Sequence, residues 1–303
     1  MPFIEVDSRT IYFEEYGENN KPTIVFFHGG PGASCAGFGN LATALGEKYH
    51  IISFDQLGVS RSDAIHEDES FGMIDHVKLI DNMRKILGIN SWIVLGHSYG
   101  GILACLYAYT YPQNTDGVIY VGTAWDIGIS ARAQVTYLIS YFKRINSEAG
   151  INNCIKLIQN KFDNSEKIHN YFRTYIVPLI KDFSECLFLR ISIDEFGKRC
   201  ICKNNVTPAP KNAEDKNNIH RQKLRESGEI YNDFYPYLNK VDKPSLFLVG
   251  KYDPLGGAFE RDCFSENALQ GSIVEFENSG HFPHIEEPQA FKEAVINFVD
   301  SLS

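Results

Sequence analysis

The chain has 303 residues, 44% of them apolar, with 29 basic and 38 acidic side chains and a formal net charge of −9. That acidic balance, without any Lys/Arg cluster, argues against nucleic-acid binding through bulk electrostatics. No uncharged apolar stretch approaches the roughly 18 residues of a membrane span, and Met1-Pro2-Phe3-Ile4-Glu5-Val6-Asp7 lacks the basic opening and apolar run of an export signal, so a cytoplasmic protein without a membrane partner is expected.

From Phe3 to Gly17 the pattern predicts two strands folded about Asp7-Ser8-Arg9, an antiparallel edge. Thr23-Ile24-Val25-Phe26-Phe27 is an unbroken apolar strand that runs into His28-Gly29-Gly30-Pro31-Gly32, an irregular turn whose backbone N–H groups are free to point at a ligand. Further strands are expected at His50 to Asp55, Ser91 to Gly96 and Gly117 to Gly122. Helices are expected near Phe38 to Leu45, Ile74 to Leu87 and Gly100 to Tyr109. Such alternation implies a mostly parallel sheet with helices on both faces.

Within it lies Gly96-His97-Ser98-Tyr99-Gly100, with an apolar run before it and a small-residue helical run after. Strand, tight turn and helix with a serine at the apex make a nucleophile elbow, G-x-S-x-G. His97 is expected to pack rather than react, because its neighbour position points it away from the apex.

The stretch from Ile127 to Pro236 breaks the rhythm. It shows helical patterns at Ile129 to Ile145, Ile151 to Phe162, Ser165 to Leu179 and Asp182 to Ile193, then a loop rich in Pro, Asn and charge from Lys203 to Asn218. Inserted here, it is expected to be a helical cap that walls the active site and excludes water. The domain organisation expected is therefore 1–126 for the first part of the core, 127–236 for the cap and 237–303 for the second part.

The alternation resumes with Ser245-Leu246-Phe247-Leu248-Val249, which leads to Asp253, and Ile273-Val274-Glu275-Phe276, which leads to Asn278-Ser279-Gly280-His281. A helix is expected near Gly257 to Leu269, and a last one opens at Glu287-Pro288. A serine needs a base, the base an orienting acid, and the oxyanion a pair of donors. Ser98, Asp253 and His281 follow in the order this architecture demands, as nucleophile, orienting acid and general base. Asp126 and His284 are the rivals for the acid and the base. The oxyanion hole is assigned to the N–H groups of Gly30 and Tyr99, and His28 to a hydrogen-bonded turn position.

Seven scattered cysteines, with Cys200-Ile201-Cys202 off any zinc spacing, read as free thiols, and neither metal nor cofactor is expected.

These motifs resemble the α/β-hydrolase fold, in particular the branch that includes the proline iminopeptidases. The His28-Gly29-Gly30-Pro31-Gly32 turn and the loop Asp55-Gln56-Leu57-Gly58-Val59-Ser60 carry the resemblance, over residues 20–125 and 240–300. It implies an aminopeptidase acting through an acyl-enzyme on small peptides or amino-acid amides. A substrate with a free amino terminus calls for carboxylates in the cap, for which Glu185, Asp194 and Glu195 are candidates, with Gly29 also at the substrate. Two features differ from the branch. Its typical elbow is Gly-Gly-Ser-Trp-Gly, and some relatives carry a glutamate where this chain has Pro254. The Pro31-Gly32-Ala33 run is similar to carbon–carbon bond hydrolases, so esters, lactones and carbon–carbon bonds stay open as targets. A non-catalytic ligand receptor on the same fold is the alternative of a different class.

Overall fold

Alternating strand residues sort onto the two faces of one sheet. In the computed structural model, which describes residues 2–181, 187–200 and 207–302, eight strands pair in the order β1-β2-β4-β3-β5-β6-β7-β8. They are β1 (Phe3–Val6), β2 (Arg9–Tyr16), β3 (Thr23–Phe27), β4 (His50–Phe54), β5 (Trp92–His97), β6 (Thr115–Val121), β7 (Ser245–Gly250) and β8 (Gly271–Phe276). The first two pairings, β1 with β2 and β2 with β4, are antiparallel, and the other five are parallel. The β1–β2 hairpin turns where the sequence predicts, with Asp7 and Ser8 both at positive φ, as a two-residue turn matched to strand twist requires.

Val25, Phe27, Val94, Val118, Tyr120, Phe247 and Val249 enter one core with helices α2 (Met73–Ile86) and α3 (Tyr99–Thr110). Their neighbours Ile24, Phe26, Ile93, Leu95, Ile119, Val121, Leu246 and Leu248 enter a second with α1 (Gly39–Gly46) and the last helix. The period of two thus loads both faces. Each such side chain, fully buried, contributes about 1.5–3 kcal/mol relative to exposure.

Between β6 and β7 the described residues form helices with a core of their own. Ala131, Val135, Leu138 and Phe142 on α4 (Ile127–Arg144) pack with Cys154 and Leu157 on α5 (Glu148–Gln159) and Ile168 and Phe172 on α6 (Ser165–Tyr175). Helix α6 stops earlier than its periodicity suggests, because Pro178 follows in a 3₁₀ turn at Val177–Leu179. Of the helix expected over Asp182–Ile193, residues 182–186 lie outside the described residues and 188–192 are turn and bend instead of helix; α7 (Ile193–Cys200) begins where that expectation ended.

The end of the expected loop is instead α8 (Ala213–Glu226). Its stripe is too polar to show as periodicity, because it docks through hydrogen bonds. Lys216 and Lys223 donate to the carbonyls of Ser62 and Glu67, each at 2.6 Å, the His220 ring bonds the Leu57 carbonyl at 2.8 Å, and Asn217 accepts from the Ser60 N–H at 3.0 Å. The chain closes through α9 (Tyr235–Leu238), α10 (Ala258–Asn267), α11 (Pro283–Glu286) and α12 (Pro288–Asp300). Among the described residues no helix is long and apolar enough to cross a membrane.

Docking α8 buries His220 against His76 of α2, ring centroids 5.1 Å apart. Among the described residues, both nitrogens of His76 and Nε2 of His220 lack a hydrogen-bond partner. Burial, then the neighbouring histidine, holds His76 well below the usual histidine value, and burial brings His220 to about 3. A base whose folded pKa is depressed lends stability that is complete above its ordinary pKa and lost as pH falls through the folded value. His76→Leu, which removes an unpaired buried ring, is therefore expected to match or exceed the parent melting temperature at pH 7.5. Between pH 6.5 and 4 it should lose several degrees less than the parent, and an equal loss in both proteins sinks this account.

Candidate active site

Strand β5 ends one residue before Ser98, whose φ of 55° and ψ of −120° lie in a region that L-residues rarely occupy. The elbow needs glycine on both sides because backbone packs on backbone. A Cβ at Gly96 would come within 2.2 Å of the Gly100 carbonyl oxygen, and one at Gly100 within 2.1 Å of that of Phe27. The Ser98 N–H is fixed to the Val121 carbonyl at 2.8 Å, and the side chain stands half-buried at the N-terminus of α3. As the first residue of that helix, Tyr99 has an N–H outside the i→i−4 ladder.

The turn after β3 lies against the elbow, since a Cβ at Gly29 would meet that of Ser98 at 3.1 Å. Gly30 adopts φ 121°, a conformation left to glycine. The Asp55 to Ser60 loop holds this turn. The His28 ring donates to the Gly29 carbonyl at 2.9 Å through Nδ1 and accepts the Gln56 N–H at 3.0 Å through Nε2, while the Gln56 amide returns a bond to the His28 carbonyl at 2.9 Å. Asp55 is fully buried and takes both arms of Arg61, at 2.7 and 3.0 Å, plus the N–H groups of Cys35 and Arg61. Burial works against its charge, but the bonds and charge of Arg61 win and hold the carboxyl below its usual range.

On the other side, the His281 Nδ1 lies 2.9 Å from Asp253 Oδ2, with both side chains buried. A carboxylate only accepts, so Nδ1 carries the proton and the Nε2 lone pair is left available. The second Asp253 oxygen accepts the Leu255 N–H at 2.9 Å. The rivals are engaged elsewhere. Asp126 caps α4, accepting the N–H groups of Gly128 and Ile129 at 2.7 and 2.9 Å and the Ser165 hydroxyl at 2.7 Å. His284 is buried 4.9 Å from the His97 ring, and its burial, then His281, brings it to about 3.

Sequence reasoning missed what pins His281. Its N–H donates to the Phe188 carbonyl at 2.8 Å, and its own carbonyl accepts from His97 Nε2 at 2.9 Å. Glu286 straddles the loop, accepting from the N–H of Gly280 at 2.7 Å and from that of Arg190. No local motif announces these bonds, which join residues far apart in the chain.

Ser98, His281, Gly29, Gly30 and Tyr99 all open on one cavity of about 450 Å³, roofed by α4 and α6. The roof supplies Ile127, Ser130, Gln134, His169, Phe172 and Arg173, and Phe188, Ile230, Leu255 and Phe282 close the sides. The expected carboxylates are not among these. Asp194 is exposed, and Glu195 pairs with Arg199 at 2.8 Å. The reason is the face of α7 that packs: Phe196 meets Phe282 at 5.0 Å and Arg199 bonds the Ile285 and Glu286 carbonyls, which turns both acids away from the site. Glu185 lies outside the described residues. The polar groups that do line the roof, Gln134, His169 and Arg173, went unnoticed because each reads as an ordinary helix-face residue.

Glu260 on α10 shares the neighbourhood of the acids. It is buried and accepts the Tyr235 hydroxyl at 2.8 Å. Burial outweighs the bonds from Tyr235 and the Trp125 backbone, Asp126 and Asp253 add to it, and the carboxyl rises to about 8. An acid raised in this way lends stability that is complete below its ordinary pKa and lost as pH climbs through the folded value. Glu260→Gln is expected to melt several degrees above the parent at pH 9 and to flatten the decline between pH 6 and 9; an unchanged decline would show that Glu260 ionises normally.

The sequence pattern of the family described as alpha/beta hydrolase fold matches residues 22–288. A proline iminopeptidase of Heyndrickxia coagulans is 24% identical over 99% of this chain and 98% of its own length. One of Saccharolobus solfataricus is 28% identical over 96% of this chain and 89% of its own. The solved structure of a proline iminopeptidase-related protein from Thermus thermophilus superposes with a TM-score of 0.77 at 19% identity, covering 99% of this chain and 96% of that one.

Proposed function

The chain belongs to the α/β-hydrolase family, a hydrolase by that membership, and we propose that it works as a serine hydrolase through an acyl-enzyme. The observation that carries this reading is the buried His281–Asp253 pair opening on the same cavity as Ser98 at its strained apex. His281 Nε2 takes the Ser98 proton as Oγ attacks the substrate carbonyl. The N–H groups of Gly30 and Tyr99 receive the oxyanion, where preorganised donors are worth most. His281 then returns the proton to the leaving group, and water, activated by the same base, releases the acyl group. The helices roofing the cavity act as its cap, with 127–236 as the inserted unit, and exclude water from the reacting atoms.

For the substrate, the names of the relatives support an aminopeptidase of small peptides or amino-acid amides as the first reading. The second, a small-molecule esterase, lactonase or carbon–carbon bond hydrolase, is favoured by one observation: among the described residues no carboxylate lines the cavity to receive an ammonium. Buried free thiols at Cys35, Cys105 and Cys154 suit a reducing compartment such as the cytoplasm.

Ser98→Ala and His281→Ala are each expected to lower kcat for a short 4-nitrophenyl ester by at least about 10³-fold, with non-additive losses in the double variant. Asp253→Asn should cost about 10⁴-fold, since it presents the wrong tautomer. Asp126→Ala should instead cost about 1 kcal/mol of stability as a lost helix cap, with activity within a factor of a few. A fluorophosphonate that labels the parent but not Ser98→Ala separates an enzyme from a receptor. Aminoacyl-naphthylamides, prolyl included, set beside esters, lactones and a ring-cleavage dienoate decide the substrate class. Turnover of esters with none of any aminoacyl amide removes the peptidase reading.

A further inference from the structure

The roof of the cavity is electrically lopsided. Among the described residues that line it, Arg173 carries the one permanent charge, and no Asp or Glu opposes it. His169 stands one turn earlier on the same face of α6 and lines the same cavity, with its Nδ1 buried and without a hydrogen-bond partner among the described residues. Arg225 of α8 brings a second guanidinium close. Burial, then the charge of Arg173, makes Arg225 less basic, and burial, then Arg173 and Arg225, brings His169 to about 4. Among the described residues neither arginine forms an ion pair with a carboxylate, in a chain that makes such pairs at Arg9, Arg61, Arg84, Arg199, Arg221 and Arg261. The acidic groups of this neighbourhood, Glu166 at the start of α6 and Glu226 at the end of α8, are exposed.

Arg173, exposed to solvent on one side and lining the cavity on the other, with Arg225 behind it and the His169 ring nitrogen beside it, leaves a surplus of donors and no carboxylate among the described residues that line this largely apolar cavity. An arginine fork is suited to a planar carboxylate, and a neutral imidazole with one N–H supplies a further donor. We propose that Arg173 and His169 form an anion subsite in the cavity of Ser98, and that the substrate bears a carboxylate remote from the bond that is cleaved. This rests on the serine-hydrolase reading above and names its substrate class. Substrates with an ammonium at that position are rejected, because the cation would be desolvated in the field of two arginines.

The test uses matched ester pairs. On the acyl side, 4-nitrophenyl hemiglutarate is set against its neutral methyl ester and against the 4-nitrophenyl ester of 4-aminobutyrate. On the leaving side, 4-acetoxybenzoate is set against its methyl ester. In at least one pair the parent is expected to favour the carboxylate by about tenfold or more in kcat/KM, the worth of one charge-assisted bond. Arg173→Gln should collapse that ratio towards one, Arg173→Lys should recover part of it, and His169→Phe should lower it. Glutarate should slow fluorophosphonate labelling of Ser98 in the parent and not in Arg173→Gln. Equal rates within both pairs, a preference for the ammonium ester, or a ratio untouched by Arg173→Gln overturns the proposal while leaving the hydrolase reading intact. Absence of turnover for every ester together with absence of Ser98 labelling overturns both.

Discussion

The structure depends on a place where three pieces of backbone meet with no side chain between them. Gly96 at the end of β5, Gly100 in the first turn of α3 and the last carbonyl of β3 lie closer than any Cβ would allow. That approach forces the chain through the left-handed region at Ser98 and aims the first N–H groups of α3 at the space above the sheet. The turn after β3 is drawn into the same space, which is why residues of that turn and the Ser98 side chain line one cavity. The elements further out serve to hold this contact: Asp55 and Arg61 from below the turn, Val121 through the Ser98 N–H, and the two cores that clamp the sheet.

The strands, their parallel order and the elbow were legible because they rest on local chemistry. Apolar runs of five or six residues, glycine at fixed offsets and the hairpin at Asp7-Ser8 each follow from what those residues do alone. The polar helix α8 was not legible, because what fixes it is a set of hydrogen bonds to residues 57–67, more than 150 positions away, rather than an apolar stripe. The same limit explains Asp194 and Glu195. Apolar neighbours suggested a pocket lining, but which side of a helix faces inward is decided by its partner, here Phe282. In the site itself, Ser98, Asp253 and His281 sit in recognisable turns, whereas His97, Glu286 and the Phe188 carbonyl act through contacts that no spacing encodes.

The charge of the whole chain and that of its cavity have opposite signs. The net charge of −9 belongs to the whole chain, while the one permanent charge among the described residues lining the cavity is Arg173, a solvent-exposed cation at its roof. The arginine also sits in the segment that packs a core of its own, so the roof and the floor of the cavity belong to separately packed parts.

Phe188 joins those two parts with different atoms. Its carbonyl oxygen receives the His281 N–H, and its ring stands in the cavity wall 4.9 Å from the His281 ring. A carbonyl survives any substitution, so natural variation at this position is free to reshape the wall while the anchor of the base remains. Substitutions at the roof and at 188 therefore change the cavity wall without touching the backbone oxygen that holds residue 281.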